Sequence, residues 1–159
     1  HALQFLSAIF DPSATFNLED TFKALRSIRK HEAMQVIKTW CNSWATSYRY
    51  HEEVRHPCLL GCPGQKDDLH HYVNCPHIWN VARIAFPRLK FDSPLDRLCV
   101  ENPSSESLRV LAATFPSYHS IKPADGEARA SHDSARSIFE HTFYTCVRAS
   151  GLMPEPPAD

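Results

Sequence analysis

The stretch Cys58-Leu59-Leu60-Gly61-Cys62-Pro63-Gly64-Gln65-Lys66-Asp67-Asp68-Leu69-His70-His71-Tyr72-Val73-Asn74-Cys75 decides how this chain is read. With His71 as the histidine that counts, three thiols and one imidazole fall at C-x3-C-x8-H-x3-C, a complete tetrahedral zinc shell. Four protein ligands leave no position for water, and activated water is what a catalytic zinc supplies. The motif therefore points to architecture or binding rather than to hydrolysis.

Local chemistry supports the spacing. Gly61 can take the positive φ that a tight thiolate turn requires, and Pro63 fixes the direction in which the chain leaves it. Asp67 or Asp68 can cap a short helix carrying Leu69 to Cys75. On that helix His71 and Cys75 stand one turn apart and meet one ion, whereas His70 diverges from Cys75 by about 140° at 3.6 residues per turn. His71 is the expected ligand and His70 is expected to face outward. His77 is the alternative, disfavoured because Pro76 turns the chain before it. Buried free thiols and a disulfide framework are the competing readings of the cysteines. Six cysteines among 159 residues fall short of the density of a small secreted scaffold, and the chain carries no secretory n-region, so the expected setting is intracellular.

A chain of 159 residues that is 43% hydrophobic can bury one sizeable core, and no apolar run approaches the ~20 residues of a membrane span. With 17 Lys+Arg against 18 Asp+Glu, nucleic-acid affinity has to be local rather than a property of the whole surface. The start at His1, without methionine, reads as a processed product or a piece of a longer polypeptide.

Residues 1–16 mix apolar side chains with a turn and are expected to dock on something else. Asn17 caps a helical pattern in which Phe22, Leu25, Ile28, Ala33, Ile37, Trp40, Trp44 and Tyr48 keep helical spacing, with no Pro or Gly from 13 to 56. The expectation is one long helical segment over 17–56, or two with a break near Lys30-His31, running directly into a knuckle at 57–76. Pro76 opens the next helix and Pro87 stops it, and a loop with one short turn follows over 87–105. Ser104 or Ser105 starts a helix expected to close at Pro116. Residues 122–133 read as a flexible loop, and Ala135, Ile138, Phe139, Thr142, Phe143, Cys146 and Val147 form the stripe of a last helix ending at Gly151. No segment alternates apolar and polar residues as a strand would, beyond a small hairpin at Cys58 to Cys62. The reading is therefore an all-α, irregular helical domain pinned at its centre by a structural zinc knuckle. It spans 1–153, with 77–153 as a helical C-terminal part and 154–159 as a loose tail.

The block Lys38-Thr39-Trp40-Cys41-Asn42-Ser43-Trp44-Ala45-Thr46-Ser47-Tyr48-Arg49-Tyr50-His51-Glu52, with Pro57 to Cys62 and Asp68 to Pro76, resembles the zinc-binding region downstream of the reverse transcriptase in non-LTR retrotransposon polyproteins. In particular it is similar to copies abundant in dinoflagellates and their relatives. The likeness covers residues 20–80 well and the later helical segments more faintly. It implies that His71, in the pair His71-Tyr72, ligates zinc with Cys58, Cys62 and Cys75. It also implies a domain that holds RNA or DNA beside a polymerase, as part of a larger polyprotein in nucleus or cytoplasm. The paired aspartates of a polymerase active site, preceded by an aromatic, are missing.

Lys23, Arg26, Arg29 and Lys30 cover one side of the first helix, and Lys38, Arg49 and Arg55 extend a basic surface toward the knuckle; these are the candidate nucleic-acid contacts. Trp40 and Trp44 share a face with Ile37 and read as core, and Tyr72 reads as packing for the site. Cys41 and Cys146 sit on apolar stripes and are expected to be buried structural thiols. No nucleophile elbow, H-E-x-x-H helix or Gly-rich phosphate loop is present, and the expectation is a protein that is not an enzyme. The rival reading keeps the retroelement descent but makes the chain a structural subunit, packed among protein partners in a large, organellar assembly without nucleic acid.

Overall fold

A computed structural model describes residues 18–123 and 129–155. Among these residues it contains seven helices and no sheet. The expected docking segment at 1–16, residues 124–128 of the loop expected at 122–133 and most of the tail fall outside the described residues, and the last helix already begins at His132.

The helical run expected over 17–56 is two helices followed by an irregular segment. α1 (Leu18–Arg26) carries Glu19 and Asp20 in its first turn and Lys23 and Arg26 in its last, matching the helix dipole at both ends. The chain then breaks at 27–29, and α2 (Lys30–Trp40) starts where Arg29 is extended and its N–H donates to Glu32 Oε2 at 2.8 Å. Helix stops at Trp40, although Trp44 and Tyr48 continue the apolar spacing. Asn42 takes a left-handed φ of 52°, and the turn it makes sends Trp44 inward, where its Nε1 donates to Thr39 Oγ1 at 3.0 Å. Tertiary packing of that indole outweighs the local helical pattern. Trp40 and Trp44 are core, as expected; Cys41 lies past the helix end and is exposed, contrary to the expectation for its stripe.

After the knuckle come α3 (Leu69–Asn74), capped by the Asp68 carboxylate on the His71 N–H at 2.7 Å, and α4 (Pro76–Ala85), opened by its proline. α5 (Pro94–Arg97) is the short turn of the proline-rich loop, with Ser93 and Asp96 forming a reciprocal cap.

α6 (Ser105–Ile121) is the organising element, packed along α7 (His132–Ala149) on one side and α2 on another. It runs through Pro116, where the sequence suggested a stop. The ring removes one helical hydrogen bond. On either side Thr114 Oγ1 donates to the Leu111 carbonyl at 2.7 Å and Ser117 Oγ to the Ala113 carbonyl at 2.7 Å. Burial of Ser117, Tyr118 and Ile121 beyond the proline gives the helix a reason to continue. Phe139, Phe143 and Val147 of α7 close this core, while Ile138 on the same stripe is half exposed. α7 is capped by Ser131 and released at Gly151, whose φ is +85°.

Candidate metal centre

The knuckle is a loop folded back on itself. Cys58 N–H donates to the Gln65 carbonyl at 2.9 Å and Asp67 N–H to the His56 carbonyl at 3.0 Å, flanking one antiparallel bridge between Pro57 and Lys66. The small hairpin expected at Cys58 to Cys62 is thus this wider closure, with the thiolate turn at its tip. Gly61 has the positive φ that turn needs, +83°, and a Cβ there would also collide with the His132 ring at the start of α7.

That closure, with α3, brings Cys58, Cys62, His71 and Cys75 together. Their ligand atoms all lie within 4.8 Å of one another and all four side chains are buried. Cys62 Sγ and Cys75 Sγ are 3.6 Å apart. A tetrahedral shell with metal–sulfur bonds of ~2.3 Å separates its sulfurs by about 3.8 Å. His71 Nε2 is buried without a hydrogen-bond partner, an orphaned atom that a metal ion would satisfy. Without a cation the thiols oppose one another: the Cys75 thiol hydrogen-bonded to Cys58 draws Cys58 well below the usual thiol range, and the same contact drives Cys75 up. Burial, followed by the neighbouring Cys58, raises Cys62. A divalent cation reverses that opposition by favouring thiolate at all three positions. The residues therefore fit a metal ion. His70 is exposed, and His77 lies outside the cluster.

Behind the ligands stands a polar hub that the sequence reading did not foresee. Asp67 is fully buried; its carboxylate accepts from Ser47 N–H at 2.7 Å, Tyr72 O–H at 2.8 Å and Tyr118 O–H at 2.9 Å. Lys122 Nζ lies 3.7 Å from it and donates to both Glu52 carboxylate oxygens. Tyr72 O–H in turn accepts from the Leu59 N–H at 3.1 Å, so the thiolate turn is tied to the hub. The rings of Trp44, Tyr72 and Tyr118 pack at centroid separations of 4.8 to 5.7 Å, making Tyr72 part of the packing, as expected. On the other side, Arg129 donates to the Cys58 carbonyl at 2.7 Å and Arg136 to the Leu60 carbonyl at 2.8 Å. Only one of two adjacent aspartates can cap α3, which is the signal that Asp67 needed another partner; the arginines reach across more than 70 residues and leave no local trace.

All seven basic residues singled out from sequence, Lys23, Arg26, Arg29, Lys30, Lys38, Arg49 and Arg55, are exposed, and none forms an ion pair among the described residues. They do not behave alike. Arg29 donates to the Ala149 carbonyl at the end of α7, and Lys38 lies over the Phe115 ring at 5.3 Å. Beside the knuckle, Tyr48 has the Arg55 guanidinium 5.3 Å and the Lys66 ammonium 5.4 Å from its ring centroid, and Arg49 covers Tyr50 at 4.8 Å. Lys66 was not among the sequence candidates.

Fold and site together define an all-α protein with a buried Cys3His cluster that could hold a metal ion. No family model, no curated protein and no solved structure matches the chain. Among the described residues no helix is long and apolar enough to cross a membrane.

Proposed function

We propose that this chain is a non-catalytic, zinc-binding accessory domain of a retroelement polyprotein that contacts RNA or DNA. Three thiols and an imidazole are a donor set that suits zinc, and a fully protein-ligated shell suits structure rather than chemistry on bound water. The observation that carries the binding role is the basic and aromatic surface beside the knuckle, where Arg49, Tyr50, Tyr48, Arg55 and Lys66 alternate cation and ring. Cations engage phosphates and exposed rings stack on unpaired bases, so this composition favours a single strand.

The test is binding of the zinc-loaded chain to short single-stranded RNA and to duplex DNA across a salt series. The expected outcome is affinity that falls steeply with salt, with Arg55→Ala and Lys66→Ala each lowering the log–log slope by about one. Absence of binding at low salt by a folded, metal-containing sample overturns the proposal in favour of a second reading, a retroelement-derived structural subunit of a protein assembly. Phe22 and Met34, about half exposed on α1 and α2, favour that reading, since bare apolar side chains suit a protein partner.

A further inference from the structure

A cavity of about 210 Å³ lies between α2, α6 and α7, a region that neither the metal centre nor the basic surface uses. Its walls include the small, flat side chains Ala113, Pro116 and Ala149. Its polar side is unusual. Glu32 is 4% exposed, with Oε2 held by the Arg29 N–H at 2.8 Å and Oε1 buried without a partner. Gln35, one turn further along α2, has a buried Oε1 without a partner, and Arg109 of α6 has a buried Nε without one, 3.9 Å from Glu32 Oε2 and beyond hydrogen-bonding range. Of the five orphaned buried side-chain atoms among the described residues, three sit on the residues around this one cavity, and each costs about 1–3 kcal/mol when left unmet.

The orphans specify a ligand. Together the orphans offer one donor, Arg109 Nε, and two acceptors, Glu32 Oε1 and Gln35 Oε1, and an edge that met all three would carry one acceptor and two donors. Among the common nucleobases that is guanine, with a carbonyl oxygen, a ring N–H and an exocyclic amine in sequence; adenine, cytosine and uracil each offer a single donor position on that edge. Apolar walls suit the faces of a planar ring, and the volume lies below the ~300 Å³ at which drug-sized pockets begin, suiting one base rather than a dinucleotide. We propose that this cavity binds a guanine base, edge-on to Glu32, Gln35 and Arg109.

The pocket is separate from the basic surface, and a nucleoside carries no phosphate, so its success or failure is independent of the RNA titration above. The experiment is a titration of the isotope-labelled, metal-loaded chain with guanosine, adenosine, cytidine and uridine, followed by amide chemical shifts. Guanosine is expected to move the signals of Ala112, Ala113 and Ala149 saturably, with the other three at least tenfold weaker. Gln35→Leu should weaken guanosine roughly tenfold, the worth of one buried hydrogen bond. Competition of guanosine by a guanine-containing RNA strand, but not by its guanine-free counterpart, identifies a base within a strand as the occupant; no competition identifies the free nucleoside or base. No shift with guanosine, equal shifts with all four, or undiminished guanosine binding by a folded Gln35→Leu protein overturns the assignment.

Discussion

The knuckle and the α6–α7 pair are held together by opposite means. In the pair, Leu108, Leu111, Phe139, Phe143 and Val147 are all buried and cohesion is spread over many apolar contacts. Around the knuckle it is concentrated in four ligand atoms, one aspartate and two arginines that reach over from outside. A distributed core loses stability in increments, whereas a directional centre fails when one member is removed.

If the Cys3His cluster holds the proposed zinc, its removal is expected to have the largest effect. Chelation, Cys62→Ala or His71→Ala should release residues 57–75, because a structural zinc contributes on the order of 10 kcal/mol to small sites. Amide hydrogen exchange should then speed up through the knuckle while α6 and α7 keep most of their protection; simultaneous loss in both would make the two regions one cooperative unit. His70→Ala should leave both untouched, and equal damage from the two histidine changes would refute the ligand assignment.

Asp67→Ala should come next, destabilising the protein by about 3–5 kcal/mol in urea unfolding, since it removes the buried acceptor shared by the Ser47 N–H and the Tyr72 and Tyr118 hydroxyls. If the cost is near that of a surface substitution, the hub does not hold the knuckle. Phe143→Ala tests the other region. It should cost about 3–5 kcal/mol through the cavity it leaves, with the metal still bound in the folded fraction.

The smallest effect is a pH dependence. Burial first, then the nearby Lys38 and Lys122, hold His119 below its ordinary pKa. Its neutral Nε2 accepts the Ala45 N–H at 3.2 Å. The folded value lies below the unfolded one, so the contribution is complete above about 6.5 and is lost as pH falls through the folded value. The melting temperature should drop less between pH 7 and pH 5.5 in His119→Gln than in the parent chain; an equal drop would assign the sensitivity to other groups.

Much of this was legible in the sequence because it was local. Helix caps at Asp68 and Ser104, the release at Gly151, the all-α class and the meeting of His71 with three cysteines follow from spacings of a few residues. What was not legible depends on partners far along the chain. The end of α2 at Trp40 is set by where Trp44 finds Tyr72 and Tyr118, and the passage of α6 through Pro116 is set by what lies buried beyond it. The orphaned atoms of Glu32, Gln35 and Arg109 belong to two helices distant in sequence, and no spacing rule brings them together.

The Asp67 carboxylate is shared by segments separated by 20 and 51 residues. Closing loops of that length is slow and entropically costly, and it must happen before the hydroxyl of Tyr72 has its acceptor shared with Tyr118. The four cluster residues lie within eighteen residues, so bringing them together costs about 1 kcal/mol less in loop closure than the 51-residue reach to Tyr118. Early ion capture would then act as a template, assembling the turn first and leaving the hub to lock it when α6 arrives, so that the order of assembly is written in sequence separation rather than in bond strength.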